Sequence, residues 1–257
     1  MPRPADPRWL PRRVLHGEDE PIFSRLSADL ISNLRSPTSE AALVWNTFYP
    51  RARPTLSLRQ WLTVRPLAGT QHLDESDDQL QPFFWGWSVD GERLSGLDQA
   101  LVEVDGSDAA GWTEADLILW GHRTVIVVEA KHQSGFGRCG RHEAGRCPEV
   151  HGRDRDAAGC RYWADTLANF DLHLEFGSRP QAGGERPPCA QHYQLARLLL
   201  LATRLAEDRR VPHLWAVVPR RRWAALQREW DDFARRVRDE ALWKRLRVLA
   251  WEDVPKL

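Results

Sequence analysis

Three charged residues lie inside the stretch EADLILWGHRTVIVVEAK, residues 114–131. Asp116, Glu129 and Lys131 interrupt what otherwise reads as two apolar strands around a short turn. With His122-Arg123 as a two-residue hairpin loop, Trp120 faces Val125, and the same register sets Asp116 opposite Glu129. Opposed side chains of an antiparallel pair have Cβ atoms about 4.5–5.5 Å apart. Strand side chains alternate, so Glu129 and Lys131 point the same way. Two carboxylates so close repel unless a cation lies between them. A hard, oxygen-seeking ion such as Mg²⁺ (or Mn²⁺) suits the pair, with water and a substrate phosphate completing its shell. Such an ion activates water, and the lysine adds positive charge beside a scissile phosphate. That set suffices for hydrolysis of a phosphodiester. The competing reading is a salt bridge on a solvated sheet face, with Lys131 neutralising Glu129. Against it stand the apolar character of the remaining strand positions and the register of the two acids. Lysine is also sparingly used here: Lys131, Lys244 and Lys256 are the only ones among 36 basic residues.

The elements that must position these groups follow from periodicity and punctuation. A helix is predicted from Ser36-Pro37, with Ser36 as cap, Pro37 in the first turn, and Ser39 and Glu40 as polar N-terminal residues. Leu43, Val44, Thr47 and Phe48 form its apolar face, and Tyr49-Pro50 ends it. An acidic loop precedes the aromatic run PFFWGWSVD, read as a strand that ends at Asp90-Gly91. QALVEVDG alternates as a half-buried strand. Beyond the hairpin, residues 133–188 are rich in Gly, Arg, His and Cys, with one helix expected at CRYWADTLANFDLHLEF. Then come a helix at CAQHYQLARLLLLATRLAE, a buried strand at PHLWAVVP, a helix or two from Arg220 to Leu246, and a last strand at RVLAWED. This order predicts an α/β fold with a mixed central sheet flanked by helices. The expected organisation is a single domain over 1–257, with an N-terminal arm at 1–35 and an insertion at 133–188.

Asp116, twelve intervening residues and then Glu129-Ala130-Lys131 resemble the signature of the PD-(D/E)XK nuclease superfamily, the restriction-endonuclease-like fold. The resemblance extends to the order of elements. It implies a core of helix, three-stranded meander, helix and strand (α-β-β-β-α-β), here residues 37–48, about 98–131, 189–207 and 213–218. It implies metal binding by Asp116, Glu129 and the Ala130 carbonyl, a catalytic Lys131, and a further acid near the start of the first helix, a place that Glu40 fits. Ala115 stands where the superfamily often has proline. One branch carries a Gln-rich motif on the second helix. Gln191 and Gln194, three apart, resemble it together with Tyr193, although the spacing differs. The resemblance implies a DNA-cleaving enzyme in restriction, phage defence or DNA processing. The alternative is a catalytically silent nuclease-like module that binds nucleic acid or a partner protein.

Cys139, Cys147, Cys160 and Cys189 are the only cysteines. None has the close spacing of a common zinc knuckle. They read either as ordinary thiols or as a structural Zn²⁺ or iron–sulfur site that pins the insertion to the following helix, with His132, His142 and His151 as spare ligands. The arginines of PRRRW (219–223) and Arg235, Arg236 and Arg238 read as the solvated side of a helix whose Trp223, Leu226, Trp230 and Phe233 face the core.

The chain has 257 residues, 42% of them hydrophobic, and no net charge. It holds no apolar run near the ~18 residues of a membrane span and no signal-like N-terminus. A cytoplasmic protein without membrane contact is expected, with DNA as partner and a homodimer suited to cutting both strands.

Overall fold

The computed structural model describes residues 15–36, 39–49, 55–70, 78–108, 112–151, 159–181, 183–184, 186–207 and 209–254. In chain order the elements begin with α1 (Ala28–Leu34), α2 (Glu40–Phe48), β1 (Leu56–Ser57), α3 (Leu58–Leu62) and β2 (Ala68–Gly69). Next come β3 (Gln79–Phe84), α4 (Leu97–Asp105), β4 (Leu117–Trp120), β5 (Thr124–Ala130) and α5 (Gly140–Glu143). The chain continues through α6 (Pro188–Gln191), α7 (Tyr193–Ala206), β6 (Val211–Val218), α8 (Trp223–Ala234), α9 (Glu240–Trp243) and β7 (Leu246–Ala250). Seven strands form one mixed sheet in the order β1-β3-β4-β5-β6-β7-β2. β3, β4 and β5 run antiparallel, while β6 lies parallel to β5 and β7 parallel to β6.

The central strands are apolar at successive positions because both faces of the sheet are covered. Ile118, Val125, Val127, Leu214 and Ala216 pack under α4, α7 and α8. Leu117, Leu119, Ile126, Val128, Trp215 and Val217 pack under α2 and α3. Helix α7 buries Leu195, Leu198, Leu199, Leu201, Ala202 and Leu205, the i, i+3, i+4 face of an amphipathic helix.

The mixed sheet and the α2, β3-β4-β5, α7, β6 order match the expected core, and several elements correct the reading. The alternating QALVEVDG is not a strand. Leu97, Ala100, Leu101 and Val104 are buried on one face of α4, and that i, i+3, i+4, i+7 spacing outcompetes the two-residue alternation. Glycines in left-handed or extended positive-φ conformations bracket it: Gly96 at φ 79° and Gly106 at φ 95°. The first strand of the meander is therefore β3, from the aromatic run. β3 stops at Phe84, short of Asp90-Gly91, because the chain reverses through Trp85 (φ 50°) and Gly86 (φ 82°). Ser39, not Ser36, caps α2, accepting the Ala42 N–H at 2.9 Å; Pro37 lies outside the described residues. The helix expected at 160–176 is two 3₁₀ turns, Arg161–Trp163 and Phe170–Leu172. Tyr162 stacks on Phe170 at 4.6 Å, so tertiary ring packing sets this segment instead of helix periodicity. The helix expected over 189–207 breaks at His192. Its fully buried ring bonds Asp232 at 2.7 Å, which anchors the break to α8. Among the described residues no helix is long and apolar enough to cross a membrane.

Candidate active site

The hairpin has the expected register: Trp120 pairs with Val125 and Leu117 with Val128. Asp116 and Glu129 stand one step beyond that ladder. The turn is held by a residue far away in sequence. Asp78 accepts the N–H groups of His122 at 3.2 Å and Arg123 at 2.9 Å. Gly121 is needed there, since a Cβ would collide with the Asp78 carboxylate. Turn length sets register, so this clamp fixes which residues oppose each other.

Asp116 Oδ2 accepts the Ala130 N–H at 2.8 Å. Glu129 and Lys131 are both buried and form an ion pair of 2.5 Å, with 2% and 7% of their side chains exposed. The Glu129 oxygen that meets Lys131 also accepts from Gln194 Nε2 at 2.7 Å. The other, Oε2, is buried and bonds no other protein atom among the described residues. Glu40, at the start of α2, accepts the N–H groups of His132, Gln133 and Ser134 at 2.7, 3.1 and 3.2 Å. It thereby fixes the exit from β5 and sits within electrostatic range of Asp116, Glu129 and Lys131. The Lys131 N–H donates to the Val217 carbonyl at 2.9 Å. The Trp251 indole donates to the Lys131 carbonyl at 2.8 Å.

The electrostatics follow from this packing. Burial and then the Glu129 charge push the Asp116 carboxyl well above its usual range, against the Ala130 N–H and Lys131. Burial raises Glu129 as well, more than Lys131 and Gln194 lower it. Burial alone would lower the Lys131 ammonium, but Glu129, Glu40 and Asp116 reverse this and raise it. For Glu40 burial is outweighed by the hydrogen bonds of the 132–134 turn and by Lys131, and its carboxyl is lowered.

Of the expected site residues, the fold brings together Asp116, Glu129, Ala130, Lys131, Glu40 and Gln194. Gln191 is separated from Gln194 by the break at His192, and among the described residues it makes no hydrogen bond to the site. Tyr193 turns to the Tyr162 hydroxyl at 3.3 Å. Sequence reasoning missed Gly137, whose N–H donates to Gln194 Oε1 at 2.6 Å. A Cβ on Gly137 would press on Gln194 at 3.1 Å, so the glycine permits this close approach. Asp78 and Trp251 were missed too, since neither lies near the hairpin in sequence. Arg235 and Arg236 pair with Asp232 and Arg238 with Asp171. Leu226, Trp230 and Phe233 face the core.

A metal fits this donor set. Among the described residues no three His, Cys, Asp or Glu side chains gather at one metal-holding point. The acids on offer are therefore the Asp116–Glu129 pair, and Mg²⁺ is commonly held by one or two carboxylates together with water and phosphate. The buried Glu129 Oε2 and the mutual repulsion of the pair are what a cation would relieve.

The same repulsion predicts a stability effect. A carboxyl whose folded pKa is raised favours folding below its ordinary pKa, and that contribution is lost as pH rises through the folded value. With a chelator present at pH 8, Asp116→Asn will therefore melt above the parent chain, by about 1 kcal/mol or roughly 2–4 °C at this size. The gap will close as pH falls below the ordinary aspartate pKa. A gap of constant size across pH, read by thermal melts, would refute this origin.

The family comparison gives the class for this mixed sheet, a restriction-endonuclease-like protein. The chain belongs to the REase-ARP family, described as Restriction Endonuclease associating with ARP, whose model matches residues 38–256. Comparisons with curated proteins and with solved structures returned no match.

Proposed function

We propose that this chain is a metal-dependent nuclease of the PD-(D/E)XK type that hydrolyses DNA phosphodiester bonds in restriction or phage defence. Membership of a restriction-endonuclease-like family supports the nuclease part. The observation that carries the finer reading is the buried Glu129–Lys131 pair beside Asp116, with one Glu129 oxygen left over.

Asp116, Glu129 and the Ala130 carbonyl would hold Mg²⁺ or Mn²⁺, which when bound polarises a phosphoryl oxygen and lowers the pKa of water. Lys131, kept cationic by three surrounding carboxylates, holds its charge where a phosphorane-like transition state becomes most negative. Glu129 orients that ammonium, and Gln194 orients Glu129. Glu40 keeps the 132–134 turn, and so the end of β5, in place. Supercoiled plasmid incubated with Mg²⁺ or Mn²⁺ will be nicked or linearised, and EDTA will stop it. Retained DNA binding without cleavage under any ion would favour the silent binding module. A two-fold dimer would bring two such sites to the two strands, a point for analytical ultracentrifugation with and without DNA.

Gln194→Ala tests the orienting shell. The substitution frees Glu129 and leaves the Gly137 N–H without its acceptor. Loss of such outer partners typically costs about 10–100-fold in metal affinity or activity. Cleavage titrated against Mg²⁺ will show the loss, mostly as a higher ion requirement. An unchanged Mg²⁺ curve would remove Gln194 from the site.

A further inference from the structure

Cys139, Cys147, Cys160 and Cys189 stand as free thiols, and among the described residues they form no metal-holding group. The chemistry left unassigned lies in a cavity beside Asp116. Its volume is about 350 Å³, and Trp85, Trp87 and Trp112 line it, with Arg25, Arg93 and Glu114 as its charged members. Apolar side chains of α4, β4 and α7 complete the lining. Pockets of this size, mostly apolar with a few converging polar groups, are the usual form of a small-ligand site.

The walls are built rigidly. Phe84 and Trp87 exchange backbone hydrogen bonds of 2.8 and 2.9 Å across the two-residue turn Trp85-Gly86. Both turn residues have positive φ, 50° and 82°, a geometry that hairpins ordinarily give to Asn-Gly. A bulky aromatic there is an outlier, and strained backbone of this kind is characteristic of ligand clamps. Arg93 locks the turn: its guanidinium donates to the Trp85 carbonyl at 3.0 Å and lies 5.0 Å from the Trp87 ring centre. Asp98 holds Arg93 in turn, at 2.8 Å. The opposite segment is tethered as well. The Trp112 indole donates to the Gly106 carbonyl at 2.6 Å, and the Thr113 N–H donates to the buried Asp105 carboxylate.

The cavity is tied to the acid pair. The Trp85 N–H donates to the Asp116 carbonyl at 3.4 Å. Glu114 and Ala115 both line the cavity, and Glu114 is at most about 7 Å of extended chain from Asp116. Trp87 and Trp112 are half-buried, while Arg25 and Glu114 are exposed. Aromatic walls beside an apolar floor suit a flat ring. A carboxylate and a guanidinium at the exposed side suit a ring that carries amino groups and is joined to phosphate.

We propose that this cavity takes an unpaired base of the DNA strand being cut, stacked against the tryptophan wall. Glu114 accepts from an exocyclic amino group, as a carboxylate does from cytosine N4, and Arg25 meets a flanking phosphate. Base–aromatic stacking of this kind is sequence-tolerant, so the carboxylate supplies the choice of base. The proposal rests on the nuclease reading for its ligand. It narrows the substrate to DNA with an unpaired or flipped base beside the cleaved bond, the base for which unstacking costs least when it is already unpaired.

The test is DNA binding by the full-length Asp116→Asn chain in Mg²⁺, read by fluorescence anisotropy, so that no strand is cut. The labelled duplexes share one sequence and are fully paired or carry a single unpaired cytosine, thymine or abasic residue. The cytosine bulge will bind about 5–150-fold more tightly than the abasic one, and about tenfold more tightly than the thymine bulge. Trp112→Ala will narrow the first gap. Glu114→Ala, at an exposed position, will close the second even if the tryptophan variant fails to fold. Equal affinity for the cytosine and abasic bulges overturns the cavity's role and leaves the nuclease reading standing. Saturable binding of free deoxycytidine monophosphate with no preference among the duplexes overturns it too, and assigns the cavity to a free nucleotide. Failure to bind any duplex sinks the nuclease reading and the proposal together.

Discussion

Lys131→Ala will cut plasmid DNA about 10²–10³-fold more slowly than the parent chain, the usual loss when one preorganised donor to a developing oxyanion is removed. Asp116→Ala will lose at least as much, because Glu129 alone cannot define the position of an ion. The two differ in stability, and that difference identifies the site. Lys131 is the cation of a buried 2.5 Å pair. Removing it leaves Glu129 buried and uncompensated, a change that typically costs about 3–5 kcal/mol. Glu129 can escape by taking up a proton, so the penalty grows with pH. Its folded pKa, already raised by burial, rises further, and stability is lost as pH climbs through that value. Adding Glu129→Gln to Lys131→Ala will restore most of the lost stability at pH 8 and none of the cleavage. Asp116→Asn removes the repelled charge and keeps an acceptor for the Ala130 N–H, so it will be inactive yet at least as stable as the parent. A surface salt bridge would give the opposite pattern, small stability changes and unaltered cutting. Equal cleavage by parent, Asp116→Ala and Lys131→Ala, measured at matched folded fraction, would remove these residues from the chemistry.

Much of this site was legible because it is local. β4 and β5 are joined by a short turn, so strand alternation alone sets Asp116 opposite Glu129 and places Lys131 beside it. The helix bearing Glu40 was legible from its polar start, although the capping residue proved to be Ser39, adjacent to the first helical turn. What failed was set by contacts between distant residues. In α4, Leu97 to Val104 satisfy two periods at once, and only packing against α7 selects the helical one. The break at His192 comes from a buried bond to Asp232 on α8, so a pattern read over 189–207 counted Gln191 and Gln194 as one face. The Asp78 clamp reaches the hairpin from the residue before β3, more than 40 positions away in sequence. The 3₁₀ turns near Tyr162 and Phe170 are held by ring stacking and by the Leu174–Val237 bridge.

Trp251 ties the core to the backbone of Lys131, and its replacement will have the second large effect. It follows β7, is 2% exposed, and lies 5.8 Å from the Phe48 ring of α2. Its indole N–H meets the Lys131 carbonyl at 2.8 Å. Trp251→Ala removes a fully buried aromatic, about 3–5 kcal/mol, or a fall in melting temperature of roughly 6–20 °C for a chain this long. Trp251→Phe keeps most of the ring but leaves the Lys131 carbonyl without its donor, a loss of about 1–3 kcal/mol. The Phe variant is the informative one. Lys131 leaves β5 held on one side by Val217, through its N–H, and on the other by this indole. With the second anchor gone the ammonium sweeps a wider arc, and misplacement by about 1 Å can cost 10²-fold in rate. Cleavage by Trp251→Phe at a temperature where it is fully folded will therefore fall about tenfold, between the intact and the misplaced limits. A Phe variant that melts earlier but cuts at the parent rate would confine Trp251 to packing and assign the position of Lys131 to Glu129 and β6 alone.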